Sequence, residues 1–161
     1  MRKFLALSML TLACGIQFTR AVEWSEDWIA AAQDARQNQK MILLNFSGSD
    51  WCGWCKRLDA EVFSQPAYEQ FASSNLVSVL VDFPRSKKQS ATLKEKNQRL
   101  AAHFQVQGFP TLLLFSPEGD LIGELGYAPG GPTPFIQSIQ KAKARYEMRG
   151  DKKSSGPRLP L

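Results

Sequence analysis

Cysteine and histidine are scarce in this sequence, whose 161 residues include three cysteines and one histidine, His103. A structural zinc site needs four ligands, and two neighbouring cysteines with one distant histidine do not supply them. Small exported scaffolds that depend on disulfides for stability carry several cysteine pairs at longer spacing. We therefore expect no metal site and no disulfide-stapled scaffold, and we expect His103 to be a surface residue.

Excess charge is small as well. The formal net charge is +5, but three basic residues and no acidic residue fall within positions 1–21. The rest of the chain therefore has a net charge of only about +2. A nucleic-acid-binding domain normally shows a stronger basic excess, so we expect no nucleic acid among the partners.

The main apolar stretch, residues 4–16, is too short to span a membrane. It follows two basic residues and precedes small residues suited to cleavage, which predicts an export signal peptide over residues 1–21. Cys14 leaves an alternative open, because its neighbours form an imperfect lipoprotein signal that would attach the chain to a membrane through a lipid. Either route takes the protein out of the cytoplasm.

The feature that carries chemistry is a cysteine pair, Cys52 and Cys55, at a predicted strand-to-helix junction. The preceding run, Met41–Phe46, is almost wholly apolar, which is typical of a strand buried on both faces. The segment after the pair has the apolar spacing of a helix. Unpaired N–H groups and the macrodipole at a helix N-terminus favour an anion, so we expect Cys52 to form a thiolate nucleophile near neutral pH.

Cys55 lies about one helical turn beyond Cys52 and can close a disulfide with it. A loop this short constrains the unfolded chain little, so the pair serves chemistry rather than stability. Lys56 adds a positive charge close to the thiols. The residues expected to tune the redox couple are its neighbours Trp51, Gly53, Trp54 and Lys56.

A second motif, Gly108-Phe109-Pro110-Thr111, precedes another apolar strand. With the cysteine motif, it makes the chain from about Trp24 to Tyr146 resemble the thioredoxin-fold oxidoreductases. More narrowly, the chain is similar to small bacterial periplasmic thioredoxin-like disulfide reductases, the DsbH-like proteins. This narrower resemblance rests on residues 47–58, on Val81-Asp82-Phe83-Pro84 and on the late pair Gly126-Tyr127.

The resemblance implies an α/β architecture, the thioredoxin fold, with a central mixed β-sheet flanked by helices and an extra N-terminal helix. The domain is expected to cover residues 22–148, followed by a disordered tail over 149–161. The extra helix is predicted from Ser25, as N-cap, to about Gln37, and the last helix is predicted to begin at a Thr133 cap.

The resemblance also implies the site. Cys52 would attack a substrate disulfide, and Cys55 would resolve the mixed disulfide. The reacting group is then the redox-active disulfide Cys52–Cys55 itself, and no separate cofactor is expected. Pro110 would follow a cis peptide bond. Phe109 would offer its backbone N–H and C=O to an extended substrate segment beside Cys52.

A reductase is the favoured direction, because the segment between Val81 and Phe109 is too short for the helical domain that oxidants of the DsbA type insert there. No dimerisation domain of the isomerase kind is present, so a periplasmic monomer is expected. Its partners would be disulfide-bonded or misoxidised exported proteins, and a membrane electron donor of the DsbD type would recharge it.

One departure from the family pattern is Asn45, which stands where thioredoxins usually carry a buried acid for proton transfer to the resolving cysteine. Asp59, Glu61 or water are candidates to replace that acid. Two alternative functions remain open at this point. The protein could be a disulfide oxidase, or it could be a non-catalytic thiol or copper chaperone that uses the soft thiolates as ligands.

Overall fold

A computed structural model describes residues 22–150 and 157–160. The predicted signal peptide, with Cys14, lies outside the described residues. The elements in chain order are β1 (Trp24–Ser25), α1 (Trp28–Asn38), β2 (Met41–Ser47), α2 (Gly53–Leu58) with a π-helical continuation (Asp59–Phe63), α3 (Pro66–Asn75), β3 (Leu76–Asp82), α4 (Ala91–His103), β4 (Thr111–Phe115), β5 (Leu121–Leu125) and α5 (Pro132–Met148). In the part of the chain that the structure describes, no helix has the length and apolar character of a membrane span.

The five strands form one mixed sheet in the order β1-β3-β2-β4-β5. β2 runs parallel to β3 and antiparallel to β4, so it occupies the centre. Every residue of β2 is buried, as its continuous apolar run predicts. The sheet and its flanking helices confirm the expected thioredoxin fold.

Side chains of β2 alternate between two cores, one on each face of the sheet. Leu43 enters the core built with α2, α3 and α5, whereas Ile42 and Leu44 enter the core built with α1 and α4. Because both faces of β2 are covered, its position is rigid. The loop at its C-terminal end, which leads to Cys52, is therefore held on a fixed support.

The N-terminal helix begins later than predicted. Asp27, not Ser25, is the N-cap, and its carboxylate accepts hydrogen bonds from the N–H groups of Ile29 at 3.0 Å and Ala30 at 3.2 Å. Ser25 instead belongs to β1, where it pairs with Val79 of β3. Ser25, which the sequence pattern assigned to the helix as its N-cap, therefore belongs to the edge strand of the sheet.

The last helix begins one residue before the predicted cap, at Pro132. Gly131 is its N-cap, with φ of 75°, a left-handed conformation that favours glycine. Pro132 then fits the first helical position, where its missing N–H costs nothing. Thr133 lies inside the first turn and does not cap the helix.

The C-terminal residues 157–160 depart from the expected disordered tail. The N–H of Leu159 donates to the carbonyl of Gly119 at 3.0 Å, and its side chain is 4% exposed. Arg158 lies 2.7 Å from the carboxylate of Asp120, which is itself buried. These contacts place the segment against the β4–β5 turn.

Candidate active site

The two cysteines lie at the start of α2, joined as a disulfide with their Cα atoms 5.3 Å apart. Cys52 is the N-cap, and the N–H of Cys55 points at its Sγ at 3.2 Å. The Cys52 N–H donates to the carbonyl of Gly48 at 2.8 Å, which fixes the loop that leads from β2. A backbone N–H at a helix N-terminus thus faces the sulfur that would carry negative charge in the reduced protein.

Two exposed tryptophans flank this disulfide. Trp51 is 37% exposed and Trp54 is 57% exposed, whereas Cys52 and Cys55 are 7% and 5% exposed. Gly53 and Lys56 also lie on the exposed side of the first turn. The predicted tuning residues are therefore more exposed than the disulfide, which is recessed beside the two indole rings.

The Trp51 ring is held from several sides. Its indole N–H donates to the carbonyl of Phe83 at 2.8 Å, and its face lies against the Arg85 guanidinium, 3.8 Å from the ring centroid. Its edge meets Phe109 with ring centroids 6.0 Å apart. A Cβ at Gly48 would lie 2.5 Å from the ring, so only glycine leaves room for it.

Asp50, directly before Trp51, organises the basic loop that follows β3. Its carboxylate accepts backbone hydrogen bonds from Arg85 at 3.0 Å, Ser86 at 2.6 Å and Lys87 at 3.0 Å. The hydrogen bonds from Arg85 and Ser86, reinforced by that from Lys87, lower the pKa of Asp50 to about 2. These hydrogen bonds hold the loop after β3 against the cysteine loop.

A second aspartate, Asp82 at the end of β3, completes this junction. It accepts from the Ser49 N–H at 2.9 Å and from the Ser49 hydroxyl at 2.6 Å. Its own carbonyl accepts from the amide of the buried Asn97 at 2.9 Å. Sequence reasoning missed Asp50 and Asp82, because a carboxylate that binds distant backbone N–H groups leaves no local pattern along the chain.

On the opposite side of the disulfide, Trp54 packs against Tyr127 with ring centroids 5.3 Å apart. The Arg57 guanidinium lies 5.5 Å from the Tyr127 ring centroid and its Nε is 2.6 Å from Glu61. The Tyr127 hydroxyl donates to the other Glu61 oxygen at 2.7 Å. Hydrogen bonds from Arg57 and then Tyr127 lower the pKa of Glu61, and the bond to Glu61 raises that of Tyr127.

Glu61 reaches this cluster because α2 continues into a π-helical turn, Asp59–Phe63, whose wider winding the sequence did not predict. The Glu61 carboxylate is fully occupied by Arg57 and Tyr127, and Asp59 is exposed. Asn45 is buried on the same sheet face as Leu43, and its side-chain oxygen has no hydrogen-bond partner among the described residues. None of these three side chains is therefore a free, buried acid.

The Phe109–Pro110 peptide bond is cis. The Phe109 ring stacks on Phe83 with centroids 5.0 Å apart and an angle of 21° between the rings. Since Phe109 also touches Trp51, the predicted substrate-binding loop and the cysteine loop are neighbours. His103, by contrast, is exposed near the C-terminal segment, with its ring nitrogen 3.2 Å from the Arg158 carbonyl.

Within residues 22–150 and 157–160, no group of three or more histidine, cysteine, aspartate or glutamate side chains is arranged to hold an ion. The chemistry that this arrangement supports is thiol–disulfide exchange, in which Cys52 and Cys55 alternate between a dithiol and a disulfide.

Comparisons with known proteins agree with this geometry. The model of the thioredoxin-like domain family matches residues 29–143. The chain is 32% identical to the disulfide bond reductase DsbH of Chlamydia pneumoniae over 154 residues, which cover 86% of this chain and 92% of DsbH. It is 33% identical to the thiol:disulfide interchange protein DsbD of Klebsiella pneumoniae over 104 residues, 65% of this chain but 15% of DsbD.

A solved structure of a DsbH oxidoreductase has the same fold. It superimposes with a TM-score of 0.71 at 32% identity, covering 80% of this chain and 92% of that one. The chain therefore belongs to the thioredoxin-like family, and it is a DsbH-like thiol:disulfide oxidoreductase.

Proposed function

We propose that the protein is an exported disulfide reductase that works in the periplasm as a monomer. The observation that carries the proposal is the dithiol at the start of α2, where the Cys55 N–H faces Cys52 Sγ at 3.2 Å between two exposed tryptophans. An N–H aimed at a sulfur stabilises its thiolate, and the thiolate is the attacking form in disulfide exchange.

The reaction has two steps. The Cys52 thiolate attacks one sulfur of a substrate disulfide, forms a mixed disulfide and releases the other substrate sulfur as a thiolate, which takes up a proton. Cys55 then loses its proton and attacks Cys52 Sγ, which releases the second substrate thiol. The substrate gains two electrons and two protons, and the enzyme is left with the Cys52–Cys55 disulfide.

The direction is argued from the residues between the cysteines. Strong oxidants of this fold gain much of their thiolate stabilisation from a histidine at this place, whereas Gly53 and Trp54 offer no comparable donor. The helix N-terminus and Lys56 remain, so stabilisation of the Cys52 thiolate is moderate and the couple lies on the reducing side. The name of the relative DsbH, a disulfide bond reductase, supports the same direction.

A reductase in an oxidising compartment needs a supply of electrons. We infer a membrane donor of the DsbD type, which the similarity to part of DsbD supports, and substrates among misoxidised exported proteins. The backbone of Phe109, before Pro110, would pair with the substrate segment beside Cys52. The predicted signal peptide over residues 1–21 would direct the chain to the periplasm.

Single cysteine substitutions test the proposed chemistry. Cys52→Ser should abolish insulin reduction, because the attacking sulfur is gone. Cys55→Ser should keep the attacking thiol but accumulate a mixed disulfide, visible by mass spectrometry under non-reducing conditions. Equal alkylation rates of the two thiols in the reduced wild type at neutral pH would contradict these separate roles.

A further inference from the structure

The two arginines near the disulfide, Arg57 and Arg85, differ in whether a carboxylate pairs with the guanidinium. On the Trp54 side, Arg57 is ion-paired with Glu61 at 2.6 Å. On the Trp51 side, the Arg85 guanidinium lies on the indole, and no carboxylate within residues 22–150 and 157–160 is within ion-pair distance of it. Among the described residues, Arg57 thus has an ion-pair partner for its guanidinium, and Arg85 has none.

Arg85 is held in place by its backbone, not by an ion pair. Its N–H donates to Asp50 at 3.0 Å, and the next residue donates to the same carboxylate at 2.6 Å. The Asp50 carboxylate, in the cysteine loop, is therefore engaged by backbone N–H groups rather than by the guanidinium. The guanidinium stays exposed on the Trp51 ring, available to a charged group on a partner.

Trp51 lies between the Arg85 guanidinium and the proposed substrate-binding loop, since its ring contacts both Arg85 and Phe109. Trp51 directly precedes Cys52, and its ring edge meets Phe109, whose backbone lies in the proposed substrate-binding loop. A substrate segment that pairs with Phe109 beside Cys52 would therefore lie close to the Trp51 ring. The side chain next to the substrate cysteine would then lie within reach of the guanidinium on that ring.

From this arrangement we propose that Arg85 determines specificity, selecting substrate segments that carry an aspartate or glutamate beside the disulfide cysteine. A guanidinium stacked on an aromatic ring is pre-oriented, so little side-chain entropy is lost when a carboxylate binds it. An exposed ion pair is worth at most about 1 kcal/mol, so the preference should be about three- to fivefold in rate. The inference depends on the proposed reductase activity.

The test uses three disulfide-bonded model peptides that differ only beside the cysteine, with glutamate, glutamine or lysine. Flanking charge alters the intrinsic reactivity of a disulfide, so each rate is divided by the rate of the same peptide with dithiothreitol. The reduced wild type should favour the glutamate peptide over the lysine peptide by about three- to fivefold, and 0.5 M salt should largely remove the difference.

The variants assign the preference to one side chain. Arg85→Glu should reverse the order of the peptides, and Arg85→Gln should abolish the preference, so that the ratio of the glutamate rate to the lysine rate falls to about one. The matched control is Lys88→Glu, which makes the same charge change on an exposed residue of the same loop outside the ring stack. It should keep the wild-type order.

Three results would overturn the inference. The wild type could reduce all three peptides at equal normalised rates, which would leave the reductase function intact. Arg85→Glu could retain the wild-type order, or Lys88→Glu could have the same effect as Arg85→Glu, which would assign the preference to the general field of the loop. If the wild type reduced none of the peptides, the proposed reductase function would fail together with the inference.

Discussion

At the scale of single residues, the Trp51 ring occupies the space that a side chain at position 48 would need. The ring is fixed by Phe83, Arg85 and Phe109, so it cannot move aside for a Cβ that would lie 2.5 Å away. Gly48→Ala should therefore lower the free energy of unfolding by about 1–3 kcal/mol, the usual cost of overpacking. It should also change the tryptophan fluorescence and slow insulin reduction.

Gly53→Ala is the matched control for stability, because a Cβ at Gly53 meets nothing within 4 Å. Its free energy of unfolding should stay within about 0.5 kcal/mol of the wild type. Urea denaturation of the three proteins measures both values. Equal stability of the Gly48 and Gly53 variants would show that the Trp51 ring is not confined as described.

Asp50 gives a prediction about pH. Its pKa is lowered from 3.8 to about 2, so its contribution to holding the Arg85 loop is present above pH 3.8 and is lost as the pH falls through 2. The amide resonances of Arg85, Ser86 and Lys87 should therefore titrate with a midpoint near 2 in NMR spectra. In Asp50→Asn this titration should be absent, and a wild-type midpoint at or above 3.8 would contradict the hydrogen bonding.

At the scale of elements, strands β2 and β4 were predictable, whereas the edge strand β1 and several helix ends were not. A strand buried on both faces shows as an unbroken apolar run, so Met41–Phe46 and the apolar strand after Pro110 could be placed from sequence. The start of α1 depended on competition between Ser25 and Asp27, which sheet pairing of Ser25 decided. The π-helical turn contains Glu61, whose carboxylate accepts a hydrogen bond from Tyr127, a residue far away in the sequence. Such a long-range contact leaves no local pattern from which the turn could be predicted.

The C-terminal segment gives a prediction at this scale. Leu159 is buried in the core built with α1 and α4, so Leu159→Ala should lower the free energy of unfolding by about 2–5 kcal/mol. Pro160→Ala, at the exposed neighbouring position, should change it by less than about 0.5 kcal/mol. Urea denaturation compares the two variants, and similar small effects of both would mean that the segment does not pack on the domain in solution.

At the scale of the whole molecule, two motifs predicted the fold and the position of the dithiol. The cysteine pair after a buried strand and the Phe109–Pro110 loop lie far apart in sequence but meet through Trp51. The sequence could not predict the loop after β3 as part of the site, because the contacts join distant segments: Asp50 of the cysteine loop binds Ser86 of that loop, and Asp82 at the end of β3 binds Ser49 of the cysteine loop. For the same reason, the lack of an ion-pair partner for Arg85 among the described residues became evident only in the folded molecule.

The direction of electron flow is also a property of the whole molecule, since it depends on how far the fold stabilises the Cys52 thiolate. The helix N-terminus and Lys56 favour the thiolate, while Gly53 and Trp54 add no strong donor between the cysteines. The proposed reductase direction corresponds to moderate stabilisation of this thiolate.

The reduction potential of the Cys52–Cys55 couple tests this account most directly. It is measured by equilibrating the protein with glutathione buffers of known potential and quantifying the free thiols at each point. We predict a value of roughly −230 to −280 mV. A potential of about −120 mV, in the range of strong oxidants, would contradict the proposed reductase function and identify a disulfide oxidase instead.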